Sequence, residues 1–324
     1  MQLIMIVSVE DAARAIQNIK YIERNLPVDE IVVIGNKKVG EMVRASGKKI
    51  SFLEEDCLYQ GMNFRNIEKI IEKRSGTQGR TGWYFQQFLK MAYAMVCEEE
   101  YYLVWDGDTI PVRRIALFHT NGKPYMALKQ EYNPAYFDTL KTLLGLDKVR
   151  KESFISEHML IRVSYMKELI AQIEQNPSCA GEAFYEKILY AVEKDMLRGS
   201  GFSEFETYGT YVTVKHPEAY EYIPYESCRH TVSMIGNDPT EEQISWMAEK
   251  YEAVSFEKWD SPVRIFTKMT QKAWFRRLLG IRRYDRICSF RCEAKFWYQR
   301  TRRKLGRFVK NRILRVGRRR KKEG

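Results

Sequence analysis

Two carboxylates, Asp106 and Asp108, follow the apolar run Tyr101-Tyr-Leu-Val-Trp105 with one glycine between them. That run predicts a strand, and Pro111 helps to end the loop after it. A strand delivers its last residues to the carboxyl edge of its sheet, where ligands bind in open α/β folds. Gly107 lets the backbone turn tightly there. Residues two apart on a strand share a face, so the two carboxylates can converge. Paired hard oxygen donors suit Mg²⁺ or Mn²⁺, ions that bridge phosphates. Such chemistry fits a nucleoside-diphosphate donor, whose growing leaving-group charge the metal neutralises. The competing reading is an ordinary acidic turn, since a bare Asp-x-Asp is common by chance. The apolar strand ahead of it, and the length of chain upstream for a nucleotide-binding half, favour the chemical reading.

Upstream, Trp83 to Cys97 predicts a helix that is apolar or aromatic at almost every position except Gln86, Gln87 and Lys90. Gln86 and Gln87 lie four and three residues before Lys90, so the three cluster on one side. Buried amides and ammoniums need partners. Lys90 can meet a phosphate or a carboxylate such as Asp106, and Gln86 or Gln87 a base, ribose or sugar hydroxyl. The alternative is a patch facing solvent at the sheet edge. Arg80, in the glycine-rich loop from Ser75 to Gly82, is a candidate for diphosphate contact. Trp83 either stacks on a ligand or fills the core. The loop lacks a Gly-Lys-Ser/Thr ending, so it is not a P-loop.

The elements that must position these residues are legible as a rhythm. Strands are predicted at 2–9, 31–34 and 49–53, with helices at 11–24 and 38–46 between them. This βαβαβ order argues for a parallel, doubly wound sheet. No Gly-x-Gly-x-x-Gly follows the first strand, so the usual dinucleotide fingerprint is absent. Further on, a strand is predicted at 125–129 and helices near 136–144, 163–175, 182–196 and 239–250. Residues 199–211 read as a loop, with short strands around 211–215 and 219–223.

The ordered set Gly82-Trp-Tyr-Phe-Gln-Gln-Phe-Leu-Lys90, Asp106-Gly-Asp108, Ser156-Glu-His158 and Ser203-Glu-Phe-Glu-Thr-Tyr-Gly209 resembles the bacterial DxD-containing glycosyltransferases of the GT-A fold. More narrowly, it resembles a group found in polysaccharide gene clusters. The resemblance covers about residues 1–235. It implies an α/β, GT-A-like open sheet, mostly parallel, with flanking helices. It also implies that Asp106 and Asp108 bind a divalent metal and the diphosphate of a nucleotide-sugar donor, with a glycan or lipid-linked glycan as acceptor. An inverting transferase needs a carboxylate or histidine to take the acceptor proton. Glu204 is the first candidate for that role and Glu206 the second; the other reading of both is a solvated loop carboxylate. Glu157-His158 stands ahead of apolar Met-Leu-Ile, where His158 can face donor or acceptor, although such a histidine is more often structural. His230 resembles, by position alone, the late histidine that some of these enzymes use as a further metal ligand. No His/Cys cluster has zinc spacing, and no Gly-x-Ser-x-Gly elbow supports a hydrolase.

Composition narrows the class further. The 324 residues are 44% hydrophobic and 30% charged, which excludes a disordered or collagen-like chain. Six cysteines without a Cys-x-x-Cys pair point to a reducing compartment. The net charge of +12 is unevenly spread: residues 272–324 hold 21 basic and 3 acidic residues, a local net of +18, and the rest is mildly acidic. The expected division is therefore a catalytic domain at 1–271 and a basic amphipathic helical tail at 272–324. In that tail Trp274, Phe275, Leu278, Ile287, Phe290, Ala294 and Trp297 recur near helical spacing, with Arg291, Lys295, Arg302 and Arg303 among or just after the later ones. A cationic amphipathic helix suits an anionic bilayer surface without spanning it. The absence of an apolar run long enough to span, or of a basic leader, gives the expected place as the cytoplasmic face of the membrane, held peripherally. The tail can also bind nucleic acid, a less favoured partner, or simply pack on the body. Competing functions are a sugar nucleotidyltransferase, against which the missing glycine-rich phosphate loop counts, and a non-catalytic nucleic-acid-binding protein, which leaves the Asp106–Asp108 strand end unexplained.

Overall fold

The structure, a computed structural model, describes residues 1–291. The described residues divide into two compact units, one of Met1–His230 with Tyr251–Glu257 and one of Thr231–Lys250 with the described residues from Lys258 onward.

In the first unit, β1 (Gln2–Ile6), α1 (Val9–Asn25), β2 (Glu30–Gly35), α2 (Lys37–Ala45) and β3 (Ser51–Glu54) make the expected opening rhythm. After α3 (Phe64–Ser75) and α4 (Thr81–Ala92) comes β4 (Tyr101–Trp105). The five-stranded sheet has the order β3-β2-β1-β4 followed by β7 (His158–Arg162). All pairs are parallel except β4 with β7, which is antiparallel. This is the α/β architecture, an open and mostly parallel sheet between helices, that the sequence predicts.

Both sheet faces are buried, as parallel strands require. Ile4, Val32, Val104 and Ile161 enter one core with α4. Their neighbours Leu3, Val33, Leu103 and Leu160 enter the other with α1 and α2. The alternation follows from the two-residue repeat of a strand. Three short strands form a second sheet: β5 (Thr109–Pro111), β9 (Ser227–Cys228) and β10 (Ala253–Ser255), with β10 central. β6 (Tyr125–Leu128) pairs with β8 (Glu221–Pro224). Helices α5 (Pro134–Leu144), α6 (Val163–Glu174) and α7 (Phe184–Ala191) complete the middle of the chain.

One stretch departs from the expected course. Residues expected as a loop at 199–211 and a strand at 211–215 contain instead α8, Glu204–Lys215. Ser203 caps it by accepting the Glu206 N–H at 3.2 Å, and two acidic residues in the first turn complement the helix dipole. The helix is buried from Glu204 to Val212, so it carries no amphipathic period to betray it. Its β-branched and aromatic composition favours strands on propensity alone. Gly209 fits because a Cβ there would meet the Phe154 ring at 2.3 Å.

The second unit contains α9 (Thr231–Ile235), α10 (Glu241–Met247) and α11 (Arg264–Thr270), and residues 273–291 are also helical. Tyr284 anchors that last segment: its hydroxyl donates to the Met234 carbonyl at 2.8 Å, and its ring packs on Trp246 and Phe266. Ile281, Tyr284 and Cys288 are buried, while Trp274, Leu278, Ile287 and Phe290 are exposed. The tail residues Ala294, Lys295, Trp297, Arg302 and Arg303 lie outside the described residues. Among the described residues no helix is long and apolar enough to cross a membrane.

Candidate functional site

The strand order itself creates a crevice. From β1 the chain runs outward to β2 and β3, then returns to place β4 on the other side of β1. Ligands in open α/β sheets bind beyond the carboxyl ends of the strands at such a reversal. Asp106, Gly107 and Asp108 follow β4 at that point and are all half-buried. The turn closes when the Thr109 N–H donates to the Asp106 carbonyl at 3.0 Å. It is held from outside by Phe256 N–H donating to the Asp108 carbonyl at 2.9 Å and by Trp105 Nε1 donating to the Thr109 carbonyl at 3.0 Å. Gly107 is not among the positive-φ glycines. Its role is space, because a Cβ would come within 3.3 Å of Val7 and 3.5 Å of Ala15.

Lys90 is the centre of the charge arrangement. It is buried, and its Nζ lies 2.9 Å from Asp106 Oδ1 and 2.9 Å from Glu204 Oε1, over the Phe205 ring at 4.5 Å. Burial disfavours its charge, but Asp106 and Glu204 together outweigh that and raise its pKa above the ordinary lysine value. Asp108 has no basic partner among the described residues; its carboxylate accepts only the Thr109 hydroxyl at 3.3 Å. Burial, then the negative charge of Asp106 and Glu257, push its pKa up to about 7. A carboxylate so placed favours a cation beside it.

The other expected residues divide between those at this edge and those set aside from it. Gln86 is half-buried and makes no side-chain hydrogen bond among the described residues, one helical turn from Lys90. Arg80 donates to the Ser200 hydroxyl at 2.7 Å and lies over the Trp83 ring at 4.6 Å, both groups at the accessible start of α4. Gln87 is turned inward: it accepts the Glu204 N–H at 3.2 Å and so supports the start of α8. Glu206 is buried, receives the Ser153 hydroxyl at 2.5 Å, and has its pKa raised, chiefly by burial. Glu204 is held by Lys90, so neither carboxylate is displayed on a loop as expected. His158 is buried, stacked on Trp105 at 5.2 Å, and burial lowers its pKa to about 4. It is a neutral core residue and not a group facing donor or acceptor. His230 is exposed beyond β9. Among the described residues no three His, Cys, Asp or Glu side chains form a metal-holding group.

Sequence reasoning gave no role to a second charged cluster nearby. Lys129 Nζ meets Glu157 Oε1 at 2.7 Å and the Ser227 hydroxyl at 2.6 Å. Burial raises the Glu157 pKa, but Lys129 outweighs it and the net shift is downward. Arg229 bonds Glu257 at 2.6 Å and Glu131 at 3.4 Å. The available signal was a basic residue placed directly after each of two short strands.

The residues fit a divalent cation in one specific sense. Mg²⁺-type ions are commonly held by one or two carboxylates plus substrate phosphates and not by an all-protein cage. Asp108 with Asp106 supplies that number, and Asp108 itself has no basic partner among the described residues.

A profile described as a family of unknown function, DUF6492, matches residues 20–274. No curated protein matches the chain in sequence. Solved structures similar to it include mouse xyloside xylosyltransferase 1 in its apo form, with 14% identity and a TM-score of 0.41 over 81% of this chain and 98% of that one. The galactosyltransferase LgtC in complex with donor and acceptor sugar analogues has 12% identity and a TM-score of 0.38 over 79% and 87%. The apo bifunctional glycosyltransferase WbbM has 13% identity and a TM-score of 0.42 over 81% and 46%. At these scores the likenesses carry no inference about the chemistry of this chain.

Two stability effects follow from the geometry. Lys90→Met strands two carboxylates and should cost about 3–5 kcal/mol in urea unfolding; the double variant with Glu204→Gln should recover part of it. For His158, the folded pKa of about 4 lies below the unfolded value of about 6.5. The unfolded state therefore binds the extra proton, and stability falls as pH drops from about 6.5 to 4, by up to about 3 kcal/mol. Unfolding curves of His158→Phe across that range should be flatter than those of the parent by this amount.

Proposed function

Given that the chain belongs to the DUF6492 family of unknown function, we propose that it is a metal-dependent glycosyltransferase. It moves a sugar of hexose type from a nucleotide-sugar donor to a glycan or lipid-linked oligosaccharide in cell-surface polysaccharide biosynthesis. The observation that carries this reading is the position of Asp106 and Asp108 at the reversal in strand order, with a cation-seeking Asp108 and a Lys90-bound Asp106. The motif set from Gly82 to Gly209 supports it.

In this reading Asp108, with Asp106, holds Mn²⁺ or Mg²⁺. Bound there, the ion neutralises the charge that develops on the departing diphosphate. Lys90 fixes the orientation of Asp106, and Glu204 fixes Lys90, so the edge is organised before the donor arrives. Gln86 offers its free amide to the donor, and Arg80 with Trp83 offers a cation and an aromatic face at the start of α4. The bond from the anomeric carbon to the diphosphate oxygen breaks. A new bond forms from that carbon to an acceptor hydroxyl oxygen, whose proton passes to a basic oxygen at the site. Glu204 acts as a positioning group through Lys90, whereas Glu206 holds Ser153 and the Phe154 N–H. His230, exposed beyond β9, remains a candidate metal ligand.

The catalytic reading covers residues 1–271 and the attachment reading 272–324. The exposed Trp274, Leu278, Ile287 and Phe290, amid the +18 charge of residues 272–324, support peripheral attachment to the anionic inner face of the cell membrane. They leave nucleic acid the weaker partner.

Asp108→Asn should keep the fold and lower transfer at least ~100-fold, the scale of losing one strong electrostatic contact. It should also erase the Mn²⁺-dependent thermal stabilisation given by nucleoside diphosphates. Normal turnover of that variant with donor and acceptor would refute the metal role. For the tail, a chain ending at residue 271 should lose flotation with anionic vesicles yet keep donor-induced thermal stabilisation. Equal flotation of the long and short chains would rule out tail-mediated attachment.

A further inference from the structure

Tyr132 is the most exposed large hydrophobic side chain of the first unit, at 67%. It lies in the segment between β6 and α5. A single exposed ring needs no explanation by itself, but this one is neither single nor loose. It stacks on Phe137 of α5, with ring centroids 5.7 Å apart and planes 16° from parallel. Lys148 Nζ in turn lies 4.6 Å from the centre of the Phe137 ring. Both chain neighbours of Tyr132 are tethered. Glu131 is bound by Arg229 at 3.4 Å, and Asn133 donates to the Ser200 carbonyl at 2.9 Å while it caps α5.

The two tethers lead to opposite sides of the candidate site. Arg229 also bonds Glu257 at 2.6 Å. Glu257 follows Phe256, whose N–H donates to the Asp108 carbonyl at 2.9 Å. On the other side, the Ser200 hydroxyl accepts Arg80 at 2.7 Å, at the start of α4. Tyr132 therefore stands on the rim between the acidic turn after β4 and the first turn of α4. Its exposure leaves the ring face away from Phe137 open.

The chemistry of the rim selects a ring of a particular kind. The face of an aromatic ring carries negative potential. One side of a pyranose presents C–H groups of slight positive charge, and its edge carries hydroxyls. Such a ring needs a flat aromatic surface with polar groups beside it. Glu131 and Arg229 supply those groups: their side chains are 40% and 39% exposed, and a carboxylate and a guanidinium have more acceptors and donors than these contacts use. Tyrosine loses little freedom on binding, and the Phe137 stack has already fixed this one. We propose that Tyr132, seated on Phe137, is the platform on which a pyranose ring of the acceptor glycan stacks, with Glu131 and Arg229 taking its edge hydroxyls. The proposal rests on the transferase reading above and names the part of the acceptor that the rim holds. An open-chain polyol has the hydroxyls without the flat C–H face, so it forfeits the larger part of this contact.

The test uses the full chain without metal or donor, and saturation-transfer NMR with methyl β-D-glucopyranoside, methyl β-D-galactopyranoside and the open-chain control glucitol, each at millimolar concentration. At least one glycoside should receive saturation at its ring C–H protons, and glucitol should receive little. Tyr132→Ala should weaken glycoside binding about threefold or more, the scale of one aromatic stacking contact. Tyr132→Phe, which keeps the ring, should bind as the parent does. The proposal is overturned if neither glycoside binds the parent, if glucitol binds equally well, or if Tyr132→Ala binds as tightly as the parent. The donor edge is read separately in the parent, by Mn²⁺-dependent thermal stabilisation with nucleoside diphosphates. A parent so stabilised that binds no glycoside loses the platform alone. A parent that binds glycosides through Tyr132 without that stabilisation keeps the platform and loses the donor-site reading.

Discussion

The buried ammonium of Lys90 is the point on which the rest of the site depends. It joins the last turn of α4 to the end of β4 through Asp106 and to the first turn of α8 through Glu204. A lysine this enclosed keeps its charge only because two carboxylates share it, and each carboxylate is tolerable there only because of the lysine. The same chemistry fixes local structure. Gln87, three residues earlier, accepts the Glu204 N–H, so α4 supports the start of α8 by a hydrogen bond as well as an ion pair. Three elements distant in sequence are thereby locked in one register.

That lock divides the labour between the two acidic residues at the strand end. Asp106 is turned back to Lys90, whereas Asp108 has no basic partner among the described residues. Two residues of one short motif, equal in type, thus hold opposite electrostatic positions: one satisfied, the other seeking a cation. The turn between them is kept narrow because Val7 and Ala15 leave no room for a side chain at Gly107. Close packing of α1 beneath the turn, and not a left-handed backbone, is what the glycine serves.

The neighbouring strand shows how finely the sheet partitions chemistry. Glu157 and His158 are adjacent, yet Glu157 pairs with Lys129 and His158 stacks on Trp105. Successive side chains on a strand point to opposite faces. The antiparallel pairing of β7 with β4 sets His158 opposite Trp105 and not opposite Asp106. One step in register would have brought the histidine to the other face, with a different environment for its ring.

Much of the architecture was legible in the order of residues alone. The opening alternation of strands and helices, the strand from Tyr101 to Trp105 and the acidic pair after it depend on local apolar patterning, which a linear reading detects. The proximity of Lys90 to Asp106 was also legible, because an ammonium on an apolar helix must find a carboxylate or phosphate. What only the tertiary structure decided were the features set by burial on all sides and by long-range pairing. α8 has no polar face, so its periodicity is hidden, and Glu204 and Glu206 read as loop residues until the fold encloses them. The neutrality of His158 follows from burial against Trp105 and Tyr225, partners 53 and 67 residues away in the chain. The spacing of residues along a chain reports which side chains share an element. It does not report which elements fold over them and strip away their water, and that desolvation decides which carboxylate, lysine or histidine stays charged.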